Sequence, residues 1–306
     1  IENNSPCFTI NADNTTITAA TLGTATCVPT GGSNGISVAA TLTNITIERF
    51  EIDGSGESTG DGINVGGGAT NLIIRDMFIH DLDGDGVELA DAQSGYARLR
   101  GNLFMNNAGL GVNNKRSVAV DAKYNAWGDV SGPHGANGDG VSSYVSYDPW
   151  THVDLYLESS GTTNPDEVDS LGQITYTVYA NLKNVTGAEF TLKYPKPHLT
   201  YLTSETFGTF DSEALNEDDG TLTFVAGNAD SAESGTAVAL FSVTFEAGET
   251  AGTYLLDLDE ETDVFTMASP DGLSENIYAT KLEDRNVVVK EGEEEGYKYF
   301  LPLILN

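Results

Sequence analysis

Two regimes of hydrophobic patterning divide the chain. Over residues 40–152 apolar residues come in very short alternating runs. Four similar segments begin at Ile45 (ITIERFEIDGSG), Leu72 (LIIRDMFIHDLDGDG), Ala97 (ARLRGNLFMNNAGLG) and Val118 (VAVDAKYNAWGDVSG), with starts 27, 25 and 21 residues apart. A second set lies between them: Gly62-Ile63-Asn64-Val65, Gly86-Val87-Glu88-Leu89 and Gly111-Val112-Asn113. Each repeat predicts two or three short strands broken by Gly, Asn or Asp turns. A unit this small, with no helix, cannot bury its own apolar face, so copies must stack. From Val153 the alternation lengthens, as at Ile174, Tyr176 and Val178, at Phe190, Leu192 and Tyr194, and at Phe241, Val243 and Phe245. Such strands between polar turns predict an antiparallel sandwich.

The stacked repeats resemble the right-handed parallel β-helix (pectate-lyase-like) family of bacterial surface proteins and polysaccharide-active enzymes. The residues that carry this are Tyr124-Asn125-Ala126-Trp127-Gly128, Ser131-Gly132-Pro133, Gly138-Asp139-Gly140-Val141 and Tyr147-Asp148-Pro149-Trp150. In that family the pattern closes the final coil, usually with a second aromatic where Ala126 stands. Residues 153–290 resemble a cohesin-like domain, the sandwich that also underlies some carbohydrate-binding modules. That likeness rests on Val178-Tyr179-Ala180-Asn181-Leu182, Gly187-Ala188-Glu189-Phe190-Thr191-Leu192 and Leu240-Phe241-Ser242-Val243-Thr244-Phe245. The expected fold is all-β, in four parts: an N-terminal cap over 1–40, a parallel β-helix over 41–152, a sandwich over 153–290, and an acidic spacer with an apolar strand over 291–306.

The last part is the most unusual. After Glu291-Gly292-Glu293-Glu294-Glu295-Gly296 comes YKYFLPLILN. As a strand it places Tyr297, Tyr299, Leu301, Leu303 and Leu305 on one face, with Phe300 and Ile304 on the other. Apolar residues on both faces predict burial on both sides, and Pro302 suits an edge or inserted strand. The segment can complete its own sandwich or a neighbour's sheet. It also resembles short tyrosine- and Leu-Pro-Leu-bearing tails that act as sorting signals on secreted bacterial surface proteins. The reading taken is exchange with a neighbour.

Charge narrows the partners. The 306 residues carry a net charge of −32, with the excess concentrated in the second half. Such a field repels nucleic acid and anionic lipid. No apolar run approaches the roughly 20 residues of a membrane span. The start at Ile1, without a leader, fits a mature secreted, extracellular product. Cys7 and Cys27 are then expected to form one disulfide. Asn3, Asn14, Asn44 and Asn184 each stand in an Asn-x-Ser/Thr glycosylation acceptor.

Candidate chemistry is sparse. Asp81, Asp83 and Asp85 in Asp-Leu-Asp-Gly-Asp-Gly have the alternate spacing with which carboxylates converge on Ca2+, but no Glu follows at the twelfth position of an EF-hand loop. Arg75, Arg98, Arg100, Lys115 and Arg116 are the basic residues a lyase would need beside a metal-bound acidic sugar. The histidines stand in no Ser- or Cys-containing catalytic motif, so no catalytic residue is assigned. Trp127 and Trp150 offer a sugar-stacking platform or, as the closing-coil pattern implies, a cap. The reading is a secreted, non-enzymatic structural subunit of a filament or surface layer, partnered by copies of itself and assembling by head-to-tail subunit stacking, by C-terminal strand exchange, or by both. The alternatives are a polysaccharide-binding adhesion module and a degenerate polysaccharide lyase.

Overall fold

The computed structural model describes residues 6–20, 25–55, 59–91, 95–160, 165–228, 231–258, 264–267, 275–277, 279 and 281–291. It is all-β: a parallel solenoid followed by two packed sheets. No helix long and apolar enough to cross a membrane occurs among the described residues.

The first coil is β1 (Phe8–Ile10), β2 (Thr16–Thr18) and β3 (Thr26–Cys27). The second is β4 (Ile36–Val38), β5 (Thr43–Glu48) and β6 (Glu51–Asp53); the third is β7 (Ile63–Val65), β8 (Thr70–Arg75) and β9 (Phe78–His80). The fourth is β10 (Val87–Leu89), β11 (Ala97–Arg100) and β12 (Leu103–Met105). In the fifth, β13 (Val112–Asn114) and β14 (Val120–Asp121) are joined on the third side only by a bridge at Ala126; β15 (Val145–Ser146) begins a partial sixth. Equivalent strands pair in parallel into three sheets, one per side of the coil.

Two devices hold the coils in register. Left-handed backbone recurs at the corners, as at Arg49, Asp76, Gly101 and Tyr124. Asn14, Asn44 and Asn71, all at positive φ, form an external ladder in which the Asn44 amide donates to Asn14 at 2.7 Å and the Asn71 amide to Asn44 at 2.6 Å; asparagine is among the few residues that tolerate this conformation. Gly35, Gly62 and Gly86 form a column where a Cβ would lie 2.6–2.7 Å from the next coil's carbonyl oxygen. Ile45, Leu72, Ile52, Ile79, Val87 and Leu99 fill the interior with no exposure.

The segment expected as a separate cap is itself coil. β1 pairs with β4, and β4 with β7, in the same register as the later coils. Phe8-Thr9-Ile10 and Ile36-Ser37-Val38 have the same apolar–polar–apolar triplet as Ile63-Asn64-Val65, too short to stand out alone. Cys7 and Cys27 are joined by a disulfide that closes this first coil.

The second part contains β16 (His152–Ser159), β17 (Glu167–Asp169), β18 (Gln173–Val185), β19 (Gly187–Lys193), β20 (Leu199–Thr206), β21 (Ser212–Asp218) and β22 (Thr221–Gly227). It continues with β23 (Glu233–Ala247), β24 (Gly252–Leu258), β25 (Val264–Met267), β26 (Glu275–Ile277), β27 (Lys281–Glu283) and β28 (Arg285–Lys290). One sheet has the order β20-β23-β18-β16-β27, the other β17-β28-β24-β19-β22-β21. Their inner faces share one core in which Phe190, Phe224 and Phe241 touch, with ring centroids 5.2–6.0 Å apart.

The last coil is covered from within the chain. Tyr124 packs against the sandwich core, while Trp150 and Tyr147 pack against the solenoid core. Asn184 Nδ2 donates to the Trp150 carbonyl at 2.6 Å, and the Lys183 ammonium lies 5.1 Å from the Trp150 ring centroid. Only the N-terminal end of the solenoid thus lacks a covering element among the described residues.

Candidate functional site

The three aspartates of the acidic turn follow β9, and coil stacking sends them to different partners. Asp81 Oδ2 lies 2.7 Å from His80 Nδ1 and groups with Asp53. Asp83 Oδ2 accepts the Thr59 N–H at 2.9 Å, and the Asp83 N–H donates to Thr59 Oγ1 at 2.9 Å. Asp85 accepts the Leu110 N–H and the Asn113 amide, both at 2.7 Å, and groups with Asp61 and Glu88. The three therefore do not share one cluster. Alternate carboxylates converge on a cation only if their loop wraps around it; here Asp83 and Asp85 instead accept from donors of adjacent coils, and Asp81 lies against the neighbouring His80.

The Asp53–His80–Asp81 group carries the most perturbed imidazole. His80 is buried, stacks on Phe78 at 4.0 Å, and has Glu51 Oε1 3.1 Å from Nε2. Burial alone would lower its pKa, but the bonds to Glu51 and Asp81 outweigh it and raise it above 6.5. Nearby, Asp139 is buried and its carboxyl is pushed up to about 6 by desolvation, although Asn107 donates to it twice.

The cationic residues are committed to structure. Arg75 Nε sits 2.6 Å from Glu48 Oε2. Arg100 pairs with Asp121 and donates to the carbonyls of Leu99, Asp121 and Lys123. Arg98 Nε donates to the Tyr96 hydroxyl at 2.6 Å, and Lys115 pairs with Glu88. Arg116 differs: its side chain is buried, and Nε and both terminal nitrogens have no hydrogen-bond partner. As for the tryptophans, Trp127 is fully buried and stacked on Phe104 at 5.0 Å, so it presents no ring to a sugar. Trp150 donates from Nε1 to the Val130 carbonyl at 3.1 Å and belongs to the junction described above.

Sequence reasoning missed a groove on the outer face of the β16-containing sheet. It is lined by Asp154, Leu155, Tyr156, Glu158, Asn181, Lys281 and Glu283. Pairing aligns these residues in two rows across three strands. Tyr179, Tyr156 and Glu283 form one row; Asn181, Asp154 and Lys281 form the next. The tyrosine rings stack with centroids 5.7 Å apart and planes 19° from parallel. Lys281 is ion-paired with Glu283. Alternation along Val153-Asp154-Leu155-Tyr156 does place the polar residues on one face, but the short third strand comes from a segment that no sequence pattern links to it.

The apolar segment with Tyr297, Tyr299, Phe300, Leu301, Leu303, Ile304 and Leu305 lies outside the described residues. No protein-family model and no curated protein matches the chain. Among solved structures, it is similar to the seventh ScaB type I cohesin of Pseudobacteroides cellulosolvens (15% identity, 51% of this chain and 97% of that one, TM-score 0.38). It is also similar to a non-cellulosomal cohesin of Archaeoglobus fulgidus (15% identity, 49% and 99%, TM-score 0.36). A third is the cohesin module of a Clostridium perfringens family 33 glycoside hydrolase (16% identity, 46% and 98%, TM-score 0.36).

Proposed function

We propose that the chain is a non-catalytic, secreted structural subunit of an extracellular filament or surface layer. Neighbouring copies are joined when the apolar strand of residues 297–306 of one subunit adds to the open solenoid end of the next. The observation that carries this is the asymmetry of the solenoid. β1, β2 and β3 each end their sheets and have no strand on their outer side among the described residues; at the opposite end, where β12, β13 and β15 end the sheets, Tyr124 packs against the sandwich core and Asn184 bonds the Trp150 carbonyl. Exposed parallel edges accept a further strand through backbone hydrogen bonds. One donor and one acceptor on different faces make a heterologous contact that propagates.

Contacts between the sandwich and the last coil favour strand addition over direct stacking of coils from successive subunits. The acidic spacer gives the strand reach, and the disulfide suits an oxidising, extracellular compartment. A non-catalytic role is supported by the pairing of Arg75, Arg98, Arg100 and Lys115 with neighbouring coil residues.

Sedimentation velocity and negative-stain microscopy test it, comparing the full chain with a version ending at Gly296. The full chain should form concentration-dependent oligomers or fibres, and the shortened chain should remain monomeric. If both stay monomeric at the highest soluble concentration, the proposal fails.

A further inference from the structure

The groove on the β16-containing sheet combines three features that point to one ligand chemistry. Among the described residues its lining has Tyr156, whose ring stacks on that of Tyr179 beside it, three carboxylates from Asp154, Glu158 and Glu283, and one cation, Lys281, already paired with Glu283. Tyr156 and Tyr179 are both partly exposed on the solvent side, because their neighbours Leu155, Leu157, Val178 and Ala180 point into the core. On β23, the residue opposite Tyr179 is Ala239, next to a register shift, so no large side chain stands opposite the outer side of the ring pair. The local field is negative: burial first, then Glu158, Tyr179 and Glu283, raise the Tyr156 pKa above 10.

A ring face attracts a cation through its quadrupole. A planar guanidinium can lie on a tyrosine while its N–H groups fork to carboxylates in the same plane. The aligned row Tyr179–Tyr156–Glu283 supplies both elements side by side, with Asp154 and Glu158 on either side of Tyr156 along β16. A net negative groove on a chain of net charge −32 also disfavours an anionic ligand.

We propose that this face is a docking site for an arginine side chain presented by a basic segment of a partner protein, with the guanidinium stacked on Tyr156 and Tyr179 and forked to Glu283 or Glu158. This goes beyond the assembly role and does not depend on it, because the groove and the open solenoid end are separate surfaces.

The test is calorimetric titration of the full chain with a capped peptide alternating glycine and arginine, and with the same peptide carrying citrulline. Two salt concentrations, 0.15 and 0.5 M, bracket the screening of the general acidic field, whose range at the lower one is about 8 Å. The arginine peptide should bind saturably and the citrulline peptide should not. Tyr156→Leu combined with Tyr179→Leu should weaken binding on the order of tenfold, and Tyr156→Phe with Tyr179→Phe should retain it. Glu158→Gln with Glu283→Gln leaves the rings intact and should weaken binding to a similar degree, which guards against misfolding of the leucine variant. Leucine and glutamine variants that both bind as tightly as the parent would mean that only overall acidity attracts the peptide. Equal binding of the citrulline peptide would mean that the rings take a neutral ligand, such as a glycan. Either result overturns the proposal.

Discussion

Asn125 Oδ1 accepts two hydrogen bonds from Asn102 on the preceding coil, one from its backbone N–H and one from its side-chain amide, both at 2.9 Å. Neither residue has any exposure. Asn102 also donates to the Ile74 carbonyl at 3.0 Å and accepts the Met77 N–H at 3.1 Å, so the pair stitches three coils through the interior. Asn102→Leu would leave the Met77 N–H without its acceptor and remove the side-chain donor from the Ile74 carbonyl in a dry core. Each orphaned group costs about 1–3 kcal/mol. Urea unfolding should therefore show a loss of at least about 2 kcal/mol; a variant within experimental error of the parent would refute this account of the ladder.

Arg116 makes the opposite case. Its guanidinium is buried with no hydrogen-bond partner, and desolvation lowers its pKa. A buried charge without a partner costs stability, and an apolar side chain of similar length removes the cost while keeping the packing. Arg116→Met is expected to raise the thermal midpoint, with a gain on the order of 1–3 kcal/mol. A lowered midpoint would show that the guanidinium is satisfied in solution.

The repeats were legible because coil register is written in the sequence. The segments aligned at Ile45, Leu72 and Ala97 are register partners in β5, β8 and β11, and the second set aligned at Ile63, Val87 and Val112 pairs likewise. The fourth segment was placed two residues early. Arg98 pairs with Asp121, which puts Val120 rather than Val118 opposite Ala97, because the turn before β14 differs in length from its predecessors. The first coil was missed since its strands are two or three residues long. The acidic turn misled for a different reason: Asp81, Asp83 and Asp85 are close in sequence, but stacking couples Asp83 and Asp85 to residues about one coil away while Asp81 pairs with the neighbouring His80. The groove was illegible because Tyr156, Tyr179 and Glu283 meet only through strand pairing across a long sequence separation.

The disulfide holds a coil that has a neighbour on only one side among the described residues. Cys7 and Cys27 are 20 residues apart, and closing a loop of that size stabilises by about 3 kcal/mol in the chain-entropy picture. Cys7→Ser with Cys27→Ser should therefore fray β1, β2 and β3 while leaving the sandwich intact. Hydrogen exchange is expected to show faster exchange at Phe8–Ile10 and Thr16–Thr18 and unchanged protection at Phe190–Leu192. Uniform acceleration across both parts would mean that the first coil does not open on its own.

Stability should peak in mildly acid solution, for reasons that can be assigned group by group. Asp139 has its carboxyl raised by burial from 3.8 to about 6, so the native state holds its proton more tightly than the unfolded chain does. That contribution is full below pH 3.8 and lost as pH rises through about 6. His80 is raised above 6.5 by Glu51 and Asp81 against the opposing effect of burial, so its contribution is full below pH 6.5 and lost as pH rises through the folded value. At the acid end the sign reverses. Glu51 is lowered chiefly by its hydrogen bond to His80, and Asp129 chiefly by the backbone N–H of Ser131; their contributions vanish as pH falls below the ordinary carboxylate range. The thermal midpoint should therefore be highest near about pH 5 and decline towards pH 8. Asp139→Asn removes one of the two groups that respond on the alkaline side, so its decline should be shallower than the parent's, and Asp139→Asn with His80→Gln should be shallower still. A parent profile that is flat or rising from pH 5 to pH 8 would show that neither group is protonated in the folded chain as the geometry requires.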